Sequence, residues 1–214
     1  MKNKLKLLSI TCFLLPIVTV IISYILSIKL NLVEPCIPNF EGCTSISRVG
    51  RYEPIKFFFK PMMFLYCFIL FFYWSNFFQE LKKINTESKF IYWISLFSVL
   101  FLALYLIFLG ENKIYSFFKK IGIYIYILFI VLSQFLASKL LIKNEKKIKH
   151  LFFLKFVKMK YYLSLFLVTS GLIVLPILVI KIDSFPGIKN IISWNYFFLV
   201  QLYFYLVFLS YKKN

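Results

Sequence analysis

The stretch that decides the fold is LLSITCFLLPIVTVIISYILSIK, residues 7–29, whose only charge is its final lysine. A helix needs about 20 consecutive apolar residues to cross the hydrocarbon core of a bilayer. Lysines precede the stretch, as in a secretory signal peptide, but the stretch is longer than the apolar region of such a signal. No cleavage site of small residues follows it. We therefore interpret it as a retained first membrane span.

Five more apolar runs of similar length follow, at about 57–79, 90–110, 121–142, 161–181 and 193–211. The chain is 61% hydrophobic and 16% charged, whereas soluble domains average about 45–50% apolar and about 25% charged residues. The runs lack the alternation of barrel strands, and a helix satisfies its own backbone polar groups in lipid. The sequence predicts an all-α integral membrane protein, with six transmembrane helices in one bundle and a single domain over 1–214.

The net charge of +18 comes mainly from lysines in short loops and at the ends of apolar runs. Such lysines orient membrane helices, because basic residues stay on the cytoplasmic side. The two tails and the loops after the second and fourth runs hold sixteen of the 26 basic residues. Both termini are therefore predicted to be cytoplasmic and the first loop exoplasmic. No separate basic domain with interleaved aromatics is present, so we expect no nucleic-acid partner.

The first long loop, CIPNFEGCTSISRVGRYEP at 36–54, differs in composition from the rest of the chain. Cys36 and Cys43 are expected to face an oxidising compartment, where disulfides persist. Pro38 and Gly42 lie between them and can turn the chain back. A disulfide between the two cysteines is the favoured prediction, and two free thiols are the alternative.

Arg48 and Arg51 are the only two arginines of the chain. A guanidinium offers a planar fork of donors that fits a carboxylate or phosphate, which a lysine does not. They are candidate ligands for a lipid head group, and the alternative is two solvated loop charges. Ser47, Gly50 and Pro54 supply turn chemistry, and Gly50 can take a positive φ. We expect an ordered loop over the mouth of the bundle.

The loop and the start of the second run resemble one family. The pattern is Ile-Ser, two residues, a glycine, a proline and an aromatic start to the second helix, carried by Ile46, Ser47, Gly50, Pro54 and Phe59. It resembles the first exoplasmic loop of the damage-regulated autophagy modulator (DRAM-like) family, which includes relatives acting in GPI-anchor lipid remodelling. The resemblance implies six spans and a lipid-related role, and Gln134 and Trp194 also match it. The chain departs from the family at three positions where the family often has an acid: Arg48, Ile55 and Ser193.

Chemistry inside the spans is sparse. His150 is the only histidine, and one histidine with eight acids does not assemble a metal centre. The centres of the runs lack the acids that coupled transporters use. The candidates for a polar pocket below the loop are Asn76, Gln134, Trp194 and Asn195. The alternative for such residues is hydrogen bonding between helices.

The sequence therefore predicts a non-enzymatic membrane protein with no catalytic residue, metal or cofactor. We expect it to bind or organise membrane lipids through the 36–54 loop. The alternatives are a small-solute channel or transporter, and an accessory subunit that binds another membrane protein. The abundance of Lys, Ile, Phe and Asn indicates AT-rich coding, from which we expect a bacterial cell (inner) membrane.

Overall fold

Six long apolar helices dominate the computed structural model, which describes residues 2–83, 88–111, 115–179 and 187–212. The helices of the described residues are α1 (Lys2–Lys29), α2 (Pro38–Glu41), α3 (Ile46–Val49), α4 (Lys56–Lys83), α5 (Lys89–Ile107), α6 (Ser116–Lys143), α7 (Glu145–Ile148), α8 (Leu154–Val179) and α9 (Ile188–Ser210). Helices α1, α4, α5, α6, α8 and α9 are each long and apolar enough to cross a membrane. The predicted fold class is confirmed: the chain is an all-α, multi-pass integral membrane protein.

The helices extend past most of the predicted spans. Helix α1 begins at Lys2 instead of residue 7, and α4 runs to Lys83 instead of 79. The apolar run marks the hydrocarbon core, whereas the helix continues into the head-group region, where lysines extend their amines to water. Helix α5 instead ends at Ile107, three residues before its predicted end. The predicted end of the fifth span, at 181, lies outside the described residues.

The six long helices form a closed ring in chain order. Helix α1 packs on α4, α4 on α5, α5 on α6, α6 on α8 and α8 on α9, and α9 packs back on α1. The amine of Lys6 lies 4.8 Å from the centroid of the Phe208 ring, so the two ends of the chain are neighbours. Lys212 also donates a hydrogen bond from its amine to the carbonyl of Lys149, at 2.7 Å. Both termini therefore lie at the end of the ring that carries the α6–α8 connection.

The loop of residues 36–54 covers the opposite end of the ring. Helix α2 packs on α9, and α3 packs on α1 and α9. Helix α4 then starts at Lys56 and returns the chain towards the other end. A short, ordered segment therefore closes the bundle at the end away from the termini.

Candidate functional site

A disulfide joins Cys36 and Cys43, whose Cα atoms are 6.5 Å apart. The segment between them forms α2, which ends at Gly42 with a φ of +66°. That left-handed conformation favours glycine over other residues. The Tyr24 hydroxyl of α1 donates to the Cys36 carbonyl at 2.6 Å and accepts from the Cys36 N–H at 3.1 Å. The disulfide end of the loop is therefore fixed to the first span.

Helix α9 holds the other side of the loop through three side chains. The Asn190 amide donates to the Gly42 carbonyl at 2.7 Å, and the Trp194 indole donates to the Thr44 carbonyl at 2.9 Å. The Asn195 amide donates to the Asn39 carbonyl at 2.9 Å. Buried backbone carbonyls need such partners, because burial removes their water. The loop is therefore bound to both the first and the last span.

Two of the residues that carry the family resemblance, Gly50 and Phe59, pack against each other. Gly50 has a φ of −83°, so it does not use the positive φ that a glycine can take. Its role is close packing: a Cβ at this position would lie 2.6 Å from the ring of Phe59. Ile46 packs against the hydrophobic core, and the peptide bond before Pro54 is cis.

Both arginines interact with the phenol of Tyr52. Hydrogen bonds from Arg48 and then Arg51 hold the pKa of the Tyr52 hydroxyl below its ordinary value. The guanidinium carbon of Arg51 lies 5.3 Å from the centroid of the Tyr52 ring. Arg48 is exposed and Arg51 is half-buried. The structure thus brings two guanidinium groups to one hydroxyl at the surface of the loop, where an anion could reach them.

A cavity of about 410 Å³ lies beneath the loop, inside the helix ring. Ser45, Ile46 and Ser47 form part of its roof, and its walls come from α4, α5, α6, α8 and α9. The lining residues include many apolar side chains, among them Phe59, Met63, Leu102, Ile123, Ile127, Val131, Leu167, Val168, Phe197 and Val200. The volume falls within the range of about 300–1,000 Å³ that is typical of ligand pockets.

Three lysines line the cavity at the loop end, and we call them the rim lysines: Lys119, Lys120 and Lys189. The first two are the fourth and fifth residues of α6, and the third is the second residue of α9. Lys119 and Arg51 are close enough for their charges to repel each other. The rim lysines and the two arginines therefore give this end of the described structure a concentrated positive charge.

The inner end of the cavity is polar. The Tyr66 hydroxyl donates to the side-chain oxygen of Gln201 at 3.3 Å, and Tyr126 interacts with both groups. All three residues line the cavity and are buried. The cavity therefore runs from a cationic rim through apolar walls to a small hydrogen-bonded floor.

The structure does not bring the predicted polar pocket together. Asn76 donates to the Phe72 carbonyl of its own helix, and Gln134 donates to the Val200 carbonyl. Trp194 and Asn195 hold the loop, and none of the four residues lines the cavity. Their positions along α4, α6 and α9 explain this result, because Asn76 lies between about five and six turns from the loop end of α4.

From the sequence alone, the rim lysines are predicted only to lie in loops or at the ends of apolar runs. Nothing distinguishes these three from the other lysines, because 24 of the 26 basic residues are lysines. The one available signal was their place at the loop ends of the fourth and sixth spans.

The same end also holds an ion cluster, in which Lys56 and Lys60 lie 3.0 and 3.1 Å from Glu111. Lys56, and then Lys60, lowers the pKa of the Glu111 carboxyl.

Comparison with known proteins adds no relative. No family model matches the chain, and no curated protein or solved structure matches it either. Among the described residues, no group of three or more His, Cys, Asp or Glu side chains could hold a metal ion. Function must therefore be inferred from the loop, the arginines and the cavity.

Proposed function

We propose that this chain is a non-enzymatic membrane protein that binds a membrane lipid in the cavity beneath the 36–54 loop. The observation that carries the proposal is the cavity itself, about 410 Å³ with apolar walls and a cationic rim. An amphipathic molecule with an anionic head group matches this distribution. Burial of its tail among apolar side chains favours binding, and so does the attraction between its head group and the ammonium groups of the rim. Membrane lipids are the amphipathic molecules present at high concentration around the bundle.

Arg48 and Arg51 extend the head-group region onto the outer face of the loop. Both donate to the Tyr52 hydroxyl, and Arg48 is exposed. A phosphate or carboxylate accepts from a guanidinium through two parallel hydrogen bonds, which are stronger than bonds to a neutral hydroxyl. In this proposal the arginines exchange part of their contact with Tyr52 for the lipid head group.

The proposal includes an orientation and a location. The Cys36–Cys43 disulfide supports an exoplasmic loop, because disulfides persist in oxidising compartments. An exoplasmic loop leaves both termini in the cytoplasm, as the distribution of lysines predicts. The AT-rich composition supports a bacterial cell membrane. A distant relation to the DRAM-like family rests on the loop pattern and the close packing of Gly50 on Phe59.

Blocking the cavity tests the proposal. Ile127 lines the cavity, whereas Ile125, two residues earlier in the same helix, does not. We expect Ile127→Trp to remove most of the phospholipid that co-purifies with the protein in mild detergent, because the indole fills the space of the tail. Ile125→Trp is the matched control and should keep the lipid. Equal lipid content in the two folded variants would contradict lipid binding in the cavity.

The arginines are tested in the same assay. Arg48→Gln with Arg51→Gln removes two charge-assisted contacts, each worth about 1.5–3 kcal/mol, so we expect lipid affinity to fall at least about tenfold. The variant Arg48→Lys with Arg51→Lys keeps the charge but loses the planar fork. If the lysine variant binds as the parent protein does, the planar fork has no role and only charge matters. If the glutamine variant also binds normally, the arginines are ordinary loop charges.

A further inference from the structure

We infer that the ligand of the cavity is an acidic phospholipid, with its phosphate at the rim lysines and one acyl chain inserted sideways between α6 and α8. The inference rests on the proposed function and names the class of lipid and its path. It follows from three features of the cavity: the charge of its rim, an opening in its wall and the depth of its floor.

The rim selects for negative charge. The described residues that line the cavity include the three rim lysines and no acid. Glu111, at the same end of the bundle, pairs with Lys56 and Lys60. A zwitterionic head group would bring its own cation close to three ammonium groups, which costs energy. An acidic phospholipid brings a phosphate without that cation, so the rim discriminates between the two lipids.

Among the described residues, none closes the wall of the cavity towards the membrane between α6 and α8 near the loop. Leu128 of α6 and Leu172 of α8 line the cavity, and they are also 46% and 66% exposed. Further from the loop, Phe135 and Tyr161 stack with their ring centroids 5.8 Å apart and close the same seam. In the described part of the chain, the opening therefore lies in the half of the bundle nearest the loop. An acyl chain of that leaflet can pass through it without leaving the hydrocarbon core.

The depth of the cavity matches one leaflet. Along α9, Lys189 at the rim and Gln201 at the floor are separated by about 18 Å, from a rise of 1.5 Å per residue. The hydrocarbon core is about 30 Å thick, so the floor lies near the bilayer centre when the rim is at the head groups. The hydrogen-bonded pair of Tyr66 and Gln201 is a poor surface for a longer tail. One chain from the leaflet on the loop side therefore fills the space.

The test compares lipid selectivity in nanodiscs. The protein is placed in discs that contain phosphatidylglycerol and phosphatidylcholine in equal amounts, and the lipids that stay bound after gentle detergent extraction are identified by mass spectrometry. We expect enrichment of phosphatidylglycerol in the parent protein. The triple variant Lys119→Gln, Lys120→Gln and Lys189→Gln should lose about tenfold or more of that selectivity, because each lysine near the surface attracts an anionic head group.

The matched control removes the same charge at the other end of the bundle. Lys82, Lys155 and Lys158 are exposed and do not line the cavity, so their replacement by glutamine should leave the selectivity unchanged. If the triple rim variant does not fold, the single variant Lys120→Gln serves instead, since Lys120 is exposed. Raised salt should also weaken the selectivity of the parent protein, because it screens the rim charges.

The outcomes separate the inference from the proposed function. Bound lipid without preference for phosphatidylglycerol, in both the parent and the rim variant, would overturn the inference and leave lipid binding intact. Inorganic phosphate that displaces the lipid completely at low concentration would point to a free-anion site, and it would also overturn the inference. Equal lipid content in the folded Ile127→Trp and Ile125→Trp variants would contradict the proposed function itself.

Discussion

Lys160 is the most unusual single residue of the described structure. It is fully buried, and its amine has no hydrogen-bond partner among the described residues. The amine lies 5.8 Å from the ring centroids of both Phe152 and Tyr203. Contacts with ring faces recover part of the cost of burying a cation. These contacts do not replace the hydrogen bonds with water that the amine loses. A buried donor without a hydrogen-bond partner lowers the free energy of unfolding by about 1–3 kcal/mol.

Replacing Lys160 should therefore stabilise the protein. Methionine has a similar length and flexibility and no polar hydrogen, so Lys160→Met keeps the packing and removes the unpaired amine. We expect the variant to be more stable by about 1–3 kcal/mol, seen as a higher midpoint of thermal unfolding in detergent. Lys158→Met, at an exposed position, is the control and should change little. A lower midpoint for Lys160→Met would mean that the amine has a partner in the working protein.

Gly50 shows how far a residue can be predicted from sequence. A glycine in this loop indicates that a side chain is not tolerated at its position. In the structure the reason is that a Cβ would clash with the ring of Phe59, and not that φ is positive. Gly42 has the positive φ instead, because it ends α2 within the disulfide loop. The sequence marks where a side chain is not tolerated. The cause depends on neighbours that only the folded chain supplies.

At the scale of elements, the six spans were predictable because lipid requires long apolar helices. The ends of the helices were less predictable, because α1 and α4 continue through flanking lysines into the head-group region. The short helices α2, α3 and α7 lie in polar connections. Four residues give no periodic pattern, so the internal structure of the loop could not be predicted. The cysteine pair and the turn residues predicted only that the loop is ordered.

The contact between α9 and the loop supports a prediction at this scale. The Trp194 indole donates to the carbonyl of Thr44, and both residues are buried. Trp194→Phe keeps an aromatic ring but leaves that carbonyl without its partner, at a cost of about 1 kcal/mol. We expect the amide hydrogens of residues 43–50 to exchange about fivefold faster. Trp93→Phe is the control, since Trp93 is 58% exposed on α5. Unchanged exchange in Trp194→Phe would show that this bond does not hold the loop.

At the scale of the whole molecule, the cavity follows from the closure of the ring. Helices α4, α5, α6, α8 and α9 each contribute a few side chains to it, from positions far apart in the sequence. None of these segments has a motif of its own, so the sequence predicted a polar pocket below the loop but not the residues that line the cavity there. The rim lysines could not be predicted for the same reason, because the fold alone brings Lys189, Lys119 and Lys120 to one cavity.

Photo-crosslinking tests the central claim, a lipid tail inside the ring, most directly. The protein is irradiated in nanodiscs with phosphatidylglycerol that carries a diazirine in its acyl chain, and the labelled residues are found by peptide mass spectrometry. We predict labels on Ile127, Val131 and Phe197, which line the cavity, together with the general labelling of outward residues such as Leu14, Ile25 and Phe68. Ile127→Trp should abolish the inner labels and keep the outer ones. Labels confined to the outward residues of the unaltered protein would contradict the account.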